Sequence, residues 1–341
     1  MLSVFWMSNA YLLKRLLWAL PTLLGVAVVV FVLLRVVPGD PIAMMTPPGA
    51  RAEDIARLRQ IYGLDASIPR QFVTWLGQVA QGDFGTSISL RERVMALVAG
   101  KLPATLELVL VAMLFAVALG LTLGLAAVYF RGRWPEIAID GFAGLTIAIP
   151  DFLWALLFIL LLGVMLPVLP ISGRLDPGID FDPSTGFYLL ESLVTGRFAI
   201  AAALIQHLLL PAAALALPLA AGITRILKSS LLEVMNQDYV TLARAKGYSR
   251  SRVLLRVALR NALIPALTLT GVQFTFLVGG TVLIEYIFSY PGIGNLAIGA
   301  VIQRDLPLIQ GLVLTFAVIF IITNLLVDMT YALLNPKLRQ R

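Results

Sequence analysis

Six apolar stretches divide this chain, at 16–37, 104–130, 137–166, 199–222, 267–287 and 308–334, and they restrict it to folds that a lipid bilayer supports. A hydrocarbon core about 30 Å thick is crossed by about 20 residues of α-helix. Each run is long enough and lacks the short apolar/polar alternation of barrel strands, so each is read as a helix. Charged residues make up 13% of the 341 and apolar ones 59%. Soluble domains carry about 25% charge. The expected fold is therefore an all-α polytopic membrane protein with six transmembrane helices.

Proline interrupts two runs, at Pro150 beside Asp151 and at Pro211 and Pro218. In lipid such prolines kink a helix when neighbours satisfy the freed backbone groups, so bends are expected there and not breaks. The first run follows Lys14-Arg15 and reads as a retained span, being longer than the apolar core of a secretory signal, which is about 7–15 residues. Orientation follows from the basic residues, which concentrate in short cytoplasmic loops. With both termini inside, Lys14, Arg15, Arg131, Arg133, eight basic residues from Arg225 to Arg260, and Lys337, Arg339 and Arg341 all lie in the cytoplasm. The segment 38–103 is then extracytoplasmic, long enough to cross regardless of its charges. Its patterning predicts helices over 52–62 and 69–79, with turns at Gly63-Leu64-Asp65 and Gly82-Asp83-Phe84-Gly85. It is read either as a cap joining two spans or as a lid that handles substrate or docks a receptor. With no cysteine in the chain, disulfide staples and thiolate metal sites are excluded. No internal repeat is visible, which gives an inverted-repeat transporter no support.

The segment between the fourth and fifth runs carries most of the charge. Residues 229–246 place Leu232, Met235, Tyr239, Leu242 and Ala245 at three- and four-residue steps, predicting one amphipathic helix that ends at Gly247. A second helix is expected over 249–263, with Ser249 or Ser251 as N-cap. Two short helices joined at a glycine make a hairpin at the membrane face, with Ala243 small enough for a partner to approach. The competing reading is a basic loop lying on anionic lipid.

Ionisable groups at membrane depth are the other candidates, because such charges are expensive there. Glu107, Asp151, Glu285 and Asp328 qualify by position. Glu107 and Glu285 lie near outer span ends and reach either the pathway or the interface. Asp151 either lines a cavity or marks a kink, and Asp328 is placed to pair with tail cations. The run Phe288-Ser289-Tyr290-Pro291-Gly292-Ile293-Gly294 is too rich in glycine and proline for a simple helix end. It is read as an outer hairpin or re-entrant gate, or as an aromatic anchor. His207, the one histidine, has no nucleophile signature beside it and reads as a packing residue. An intramembrane enzyme therefore finds no support, and a secondary transporter leaves the basic hairpin without a purpose.

Asp238-Tyr239-Val240 with Ala243-Arg244-Ala245-Lys246-Gly247, followed by Arg260-Asn261-Ala262-Leu263-Ile264-Pro265, resembles the cytoplasmic EAA loop of ABC-importer permeases, in the version of dipeptide and oligopeptide B-type subunits. Further matches are Val37-Pro38-Gly39-Asp40-Pro41, Ala104-Thr105-Leu106-Glu107-Leu108, Glu285-Tyr286-Ile287-Phe288-Ser289-Tyr290-Pro291-Gly292-Ile293-Gly294, Asn324-Leu325-Leu326-Val327-Asp328 and Asn335-Pro336. Thr241-Leu242 stand where the general pattern has Glu-Ala, and Arg260 where it has proline. No role for a motif glutamate therefore carries over.

The resemblance implies the type I importer permease fold. It divides the chain into an N-terminus and first span (1–37), an outer insertion (38–103), a permease core (104–336) with a coupling loop (225–265), and a tail (337–341). It implies a homologous second permease, two cytoplasmic ATPase subunits and an extracytoplasmic substrate-binding protein as partners, in a bacterial inner membrane; no metal site in this chain and no nucleic-acid partner are expected. ATP and Mg belong to the ATPase subunits. The chain carries no Gly-x-x-x-x-Gly-Lys-Ser/Thr loop with which to cradle phosphates itself. On this resemblance Glu233, Asp238, Tyr239, Ala243, Arg244, Ala245 and Gly247 are candidates for ATPase coupling. Glu107, Asp151, Glu285, Tyr290, Pro291 and Gly292 are candidates for the pathway or gate. Peptides are the expected cargo, the family also importing nickel, glutathione, haem and some sugars.

Overall fold

The structure, a computed structural model, describes residues 2–36, 51, 53 and 65–334. Several expectations fall outside these residues: the helix over 52–62, the motif at 37–41, and the tail from Asn335. The pairing of Asp328 does as well, since only its backbone is described.

The helices are α1 (Leu2–Val36), α2 (Ile68–Ala80), α3 (Val94–Tyr129), α4 (Trp134–Ala148), α5 (Asp151–Phe158, continued by a π-helical Ile159–Met165) and α6 (Tyr188–Val194). They continue with α7 (Phe198–Val234), α8 (Asp238–Ala245), the single turn α9 (Arg250–Arg252), a π-helical Val253–Ala258, α10 (Leu259–Ile287), α11 (Ile293–Ile302) and α12 (Leu306–Leu334). Among the described residues, five helices are long and apolar enough to cross a membrane, and α4 with α5 makes a sixth span if taken as one bent element. The only β pairing among the described residues is the isolated Thr86–Arg93 bridge.

Two proline expectations came out differently. α7 runs unbroken through Pro211 and Pro218, but α4 and α5 meet at a break of 104°. Ile149 before Pro150 is extended (φ −99°, ψ 123°). A proline ring disfavours the helical region for its predecessor, and the Asp151 carboxylate then accepts the Phe152 N–H (2.8 Å) to start a new helix. The chain restarts there instead of bending.

The chain forms two compact units, Met1–Leu102 with Leu296–Ile321, and Pro103–Asn295 with Ile322–Arg341. In the first, Phe31 of α1 packs edge-on against Phe72 of α2 (centroids 5.1 Å) and lies 5.4 Å from Trp75. Elsewhere on α1, Leu17, Trp18, Leu20, Leu24 and Leu33 are exposed, as on a lipid-facing helix. Asp305, between α11 and α12, is buried and anchors the loop after α2. One of its oxygens accepts Ser87 Oγ (2.6 Å), Ser89 N (2.9 Å) and Ser89 Oγ (2.7 Å), and the other accepts Leu308 N (3.2 Å).

Burial alone raises the Asp305 pKa, but these hydrogen bonds outweigh it and hold the carboxyl below the ordinary 3.8. Its contribution to stability is therefore complete above the unfolded-state value and is lost as pH falls through the native one. Amide exchange in the 84–93 loop is expected to stay slow at neutral pH and accelerate below about pH 4. Asp305→Asn should exchange faster already at neutral pH and show a flatter acid response.

In the second unit α7 is the central helix, packed against α10, α4, α5 and α6. It buries Leu204, Leu208, Leu215, Ile223, Leu227 and Leu231. α3 meets it at Gly120, whose carbonyl lies 3.3 Å from Thr224 Oγ1; small residues at such contacts let membrane helices approach closely.

Candidate functional site

The expected helix over 229–246 is two helices. α7 ends at Val234, a turn follows, and α8 starts at Asp238. The Met235 N–H closes on the Leu231 carbonyl (2.9 Å) and the Gln237 N–H on that of Val234 (3.1 Å), so the turn satisfies its own backbone. α8 packs against the π-helical Val253–Ala258, burying Val240 and Ala243 against Val253. Ala243 thus lets its own hairpin close instead of presenting a gap to a partner. The apolar stripe is shifted by one residue from the expected phase: Tyr239 and Leu242 are exposed, at 40% and 55%.

Glu233, Asp238, Arg244, Ala245 and Gly247 are exposed as well. The two halves of the motif touch, Asn261 Nδ2 donating to Tyr239 Oη at 2.8 Å. Gly247 has φ +79°, a left-handed conformation that favours glycine, and its N–H caps α8 through the Arg244 carbonyl (2.9 Å). Ser249, not Ser251, is the N-cap of the second arm, accepting the Arg252 N–H at 3.4 Å. That arm does not stop at Leu263: the π segment leads directly into α10, so the second arm and the fifth span are one continuous helical segment.

A second constellation sits where α10 turns into α11. Glu285 is fully buried and is held on both oxygens. Thr105 Oγ1 donates to Oε1 (2.7 Å), while the N–H groups of Gly294 (2.8 Å) and Asn295 (3.1 Å) donate to Oε2. Thr105 Oγ1 in turn accepts the Ile293 N–H at 2.9 Å. The turn is tight, with Ser289 at φ +47° and the Tyr290 N–H on the Glu285 carbonyl (2.7 Å). Gly292 leaves no room for a side chain, since a Cβ there would fall on the Glu285 carboxylate and Thr105 Oγ1. Glu285 therefore acts as the organising centre of the turn rather than reaching the interface.

Glu107 does not reach the interface either. It is buried against Arg174 (Nη2–Oε2 2.7 Å), and its other oxygen accepts the N–H groups of Leu189 (2.9 Å) and Leu190 (3.3 Å). Arg174 also donates to the Gly186 carbonyl (2.9 Å) and lies 4.0 Å over the Tyr188 ring. The Gly173 N–H donates to the Phe288 carbonyl (2.9 Å), tying this loop to the α10–α11 turn. Tyr290 is fully buried there, and its hydroxyl and Arg174 Nε have no hydrogen-bond partner among the described residues. Of the gate candidates, Glu107, Glu285, Tyr290, Pro291 and Gly292 thus share one region, while Asp151 stands apart at the start of α5, facing Gly280 of α10.

Arg174 was not among the sequence candidates. It lies in an irregular loop with no periodic pattern, and its partner is 67 residues away. His207 is buried, with Nδ1 donating to the Ala203 carbonyl (3.0 Å) and Nε2 3.6 Å from Asp176. No group of three metal-ligating side chains occurs among the described residues.

Residues 102–340 match the family described as the binding-protein-dependent transport system inner membrane component, and residues 8–109 match its N-terminal part. The chain belongs to this family. The permease is 41% identical over 337 residues to the di/tripeptide transport system permease protein DppB of Pseudomonas aeruginosa, covering 97% of this chain and 99% of that one. It is 38% identical to the glutathione permease GsiC of Salmonella choleraesuis over 331 residues, and 37% identical to the dipeptide permease DppB of Escherichia coli over 335. Each alignment covers 97% of the permease and 99% of the relative. Among solved structures, the inward-facing MetNI methionine ABC transporter superposes with a TM-score of 0.52 at 16% identity, over 71% of this chain and 97% of that one. That likeness concerns the fold. The permease is accordingly a multi-pass, non-catalytic transmembrane subunit of a bacterial ABC importer, a class that works with ATPase and binding-protein partners.

Proposed function

We propose that the permease forms, with a homologous second permease, the translocation pathway for short peptides, and that it couples to two cytoplasmic ATPase subunits through the exposed face of α8. The similarity across nearly its whole length to permeases named for dipeptides, di/tripeptides and glutathione supports the cargo, since glutathione is itself a modified tripeptide. The observation that carries the coupling reading is the pair Tyr239 and Leu242, exposed on a short helix whose opposite face is packed. An amphipathic helix presenting apolar anchors fits a groove in a partner. Both termini then lie in the cytoplasm, and the outer insertion faces the substrate-binding protein. The α10–α11 turn, held by Glu285, is the outer gate of the pathway.

Leu242→Asp, Arg244→Glu and Gly247→Trp are each expected to lower ATP-driven uptake at least about ten-fold by weakening ATPase association, as loss of an interface anchor does. Co-purification of the ATPase subunits and their substrate-stimulated hydrolysis are the measurements. Unchanged assembly and hydrolysis in all three variants would refute the docking role. The cargo is tested separately, by asking which ligand, presented by the binding protein to the reconstituted importer, stimulates hydrolysis; no response to di- or tripeptides would exclude them.

A further inference from the structure

At the base of the hairpin is a cavity of about 460 Å³, whose lining includes Val128, Arg131, Asn236, Arg244, Tyr248 and Arg250. Three guanidiniums converge on it and no carboxylate lines it. Arg250 is held in place by the Val128 carbonyl (3.3 Å) and by the Tyr129 ring (5.3 Å), and Arg244 by the Met235 carbonyl (3.3 Å). Each of these bonds uses one of the five donors of a guanidinium, leaving the rest directed elsewhere. The Arg131 side chain forms no hydrogen bond or salt bridge among the described residues; only its backbone N–H is engaged, with the Val128 carbonyl (3.3 Å). Glu136, the acid it acts on electrostatically, is already occupied by Lys228 (2.7 Å) and the Gly132 N–H (2.6 Å).

The cavity's level in the membrane identifies its occupant. Val128 is near the end of α3, whose apolar run stops at residue 130, so the cavity opens where that span leaves the hydrocarbon. Aromatic side chains mark the same level: Tyr129 and Phe130 stack edge to face, and Trp134 is 77% exposed. Tyrosine and tryptophan gather at the headgroup boundary. A basic pocket between spans at that boundary suits a lipid phosphate. We infer that this cavity binds the phosphate of an anionic phospholipid, held by Arg131, Arg244 and Arg250 with Tyr248 and Asn236 as further hydrogen-bonding groups. Of these residues only Arg244 also belongs to the docking reading of α8, so the variants that separate the two readings are made at Arg131 and Arg250. It gives the base of the hairpin a fixed contact with the bilayer while the tip is free to move with a partner.

The test uses the assembled importer, stripped of lipid in detergent and titrated with phosphatidylglycerol under native mass spectrometry. Wild type is expected to retain a phosphatidylglycerol that phosphatidylcholine does not replace. Arg131→Gln should weaken it about five-fold and Arg131→Gln with Arg250→Gln about 25-fold, the effect of one cation each near an anionic surface. Arg131→Lys, which keeps the charge, should bind more tightly than Arg131→Gln; because Arg131 has no structural bond to lose, these variants keep the comparison free of folding defects. Equal retention by wild type and the double variant would overturn the inference. So would displacement of the lipid by excess inorganic phosphate, which would point to a soluble anion. Loss of ATPase subunits from the Arg131→Gln complex with lipid retention unchanged would assign the pocket to an acidic protein partner instead.

Discussion

Replacing Arg174 by methionine is expected to destabilise the permease by about 3–5 kcal/mol, because it strands a carboxylate away from water. Glu107 and Arg174 are both nearly inaccessible, and their contact is 2.7 Å. Desolvating two charges offsets most of what the attraction gains, so the intact pair contributes little net stability while half a pair is costly. The double variant Glu107→Gln/Arg174→Met should therefore recover most of the loss, since a glutamine oxygen can still accept the Leu189 and Leu190 N–H groups. Thermal unfolding of the purified importer, compared across the single and double variants, is the measurement. Equal destabilisation in both would mean that shape, and not the orphaned charge, sets the effect.

Gly292→Ala is expected to reduce uptake at least ten-fold and to destabilise the α10–α11 turn by about 1–3 kcal/mol or more, the range for forcing a methyl into a packed site. Its Cβ would fall on the Glu285 carboxylate and Thr105 Oγ1. Neither can withdraw freely, because backbone N–H groups of Gly294 and Asn295 hold the carboxylate and that of Ile293 holds the hydroxyl. Gly299→Ala is the matched control: it lies in α11 with nothing within 4 Å of an added Cβ. There the substitution should be neutral or stabilising by up to about 1 kcal/mol, from the better helix propensity of alanine. Uptake and unfolding measured on both variants separate a local collision from a general intolerance of the region. If the two behaved alike, the close packing around Glu285 would not be what matters.

The length of the apolar runs was enough to place the spans, although their ends were not: α3 begins at Val94 rather than at 104, and α10 at Leu259 rather than at 267. Those extensions carry polar residues that hydropathy discounts but helix geometry tolerates. Pro150 and Pro211 look alike in sequence, yet one interrupts a span and the other sits inside a continuous helix; what separates them is whether the preceding residue is held helical by its neighbours. The hairpin was legible through its periodicity and through Gly247, whose left-handed backbone explains the glycine. Its phase was not. Which side of α8 is packed depends on Val253, which belongs to the other arm, so the buried residues are Val240 and Ala243 rather than Tyr239 and Leu242.

By itself, then, the sequence determined that the chain spans a membrane several times, that a basic glycine-linked hairpin separates two spans, and which ordered motifs tie it to importer permeases. Each of these rests on local quantities: run length against bilayer thickness, residue period and backbone freedom. The tertiary structure alone decided which charges have partners and which faces remain open. Glu285 finds Thr105 across 180 residues and Glu107 finds Arg174 across 67. A buried carboxylate must be satisfied by whatever the packed helices bring to it, and no spacing along the chain specifies that partner.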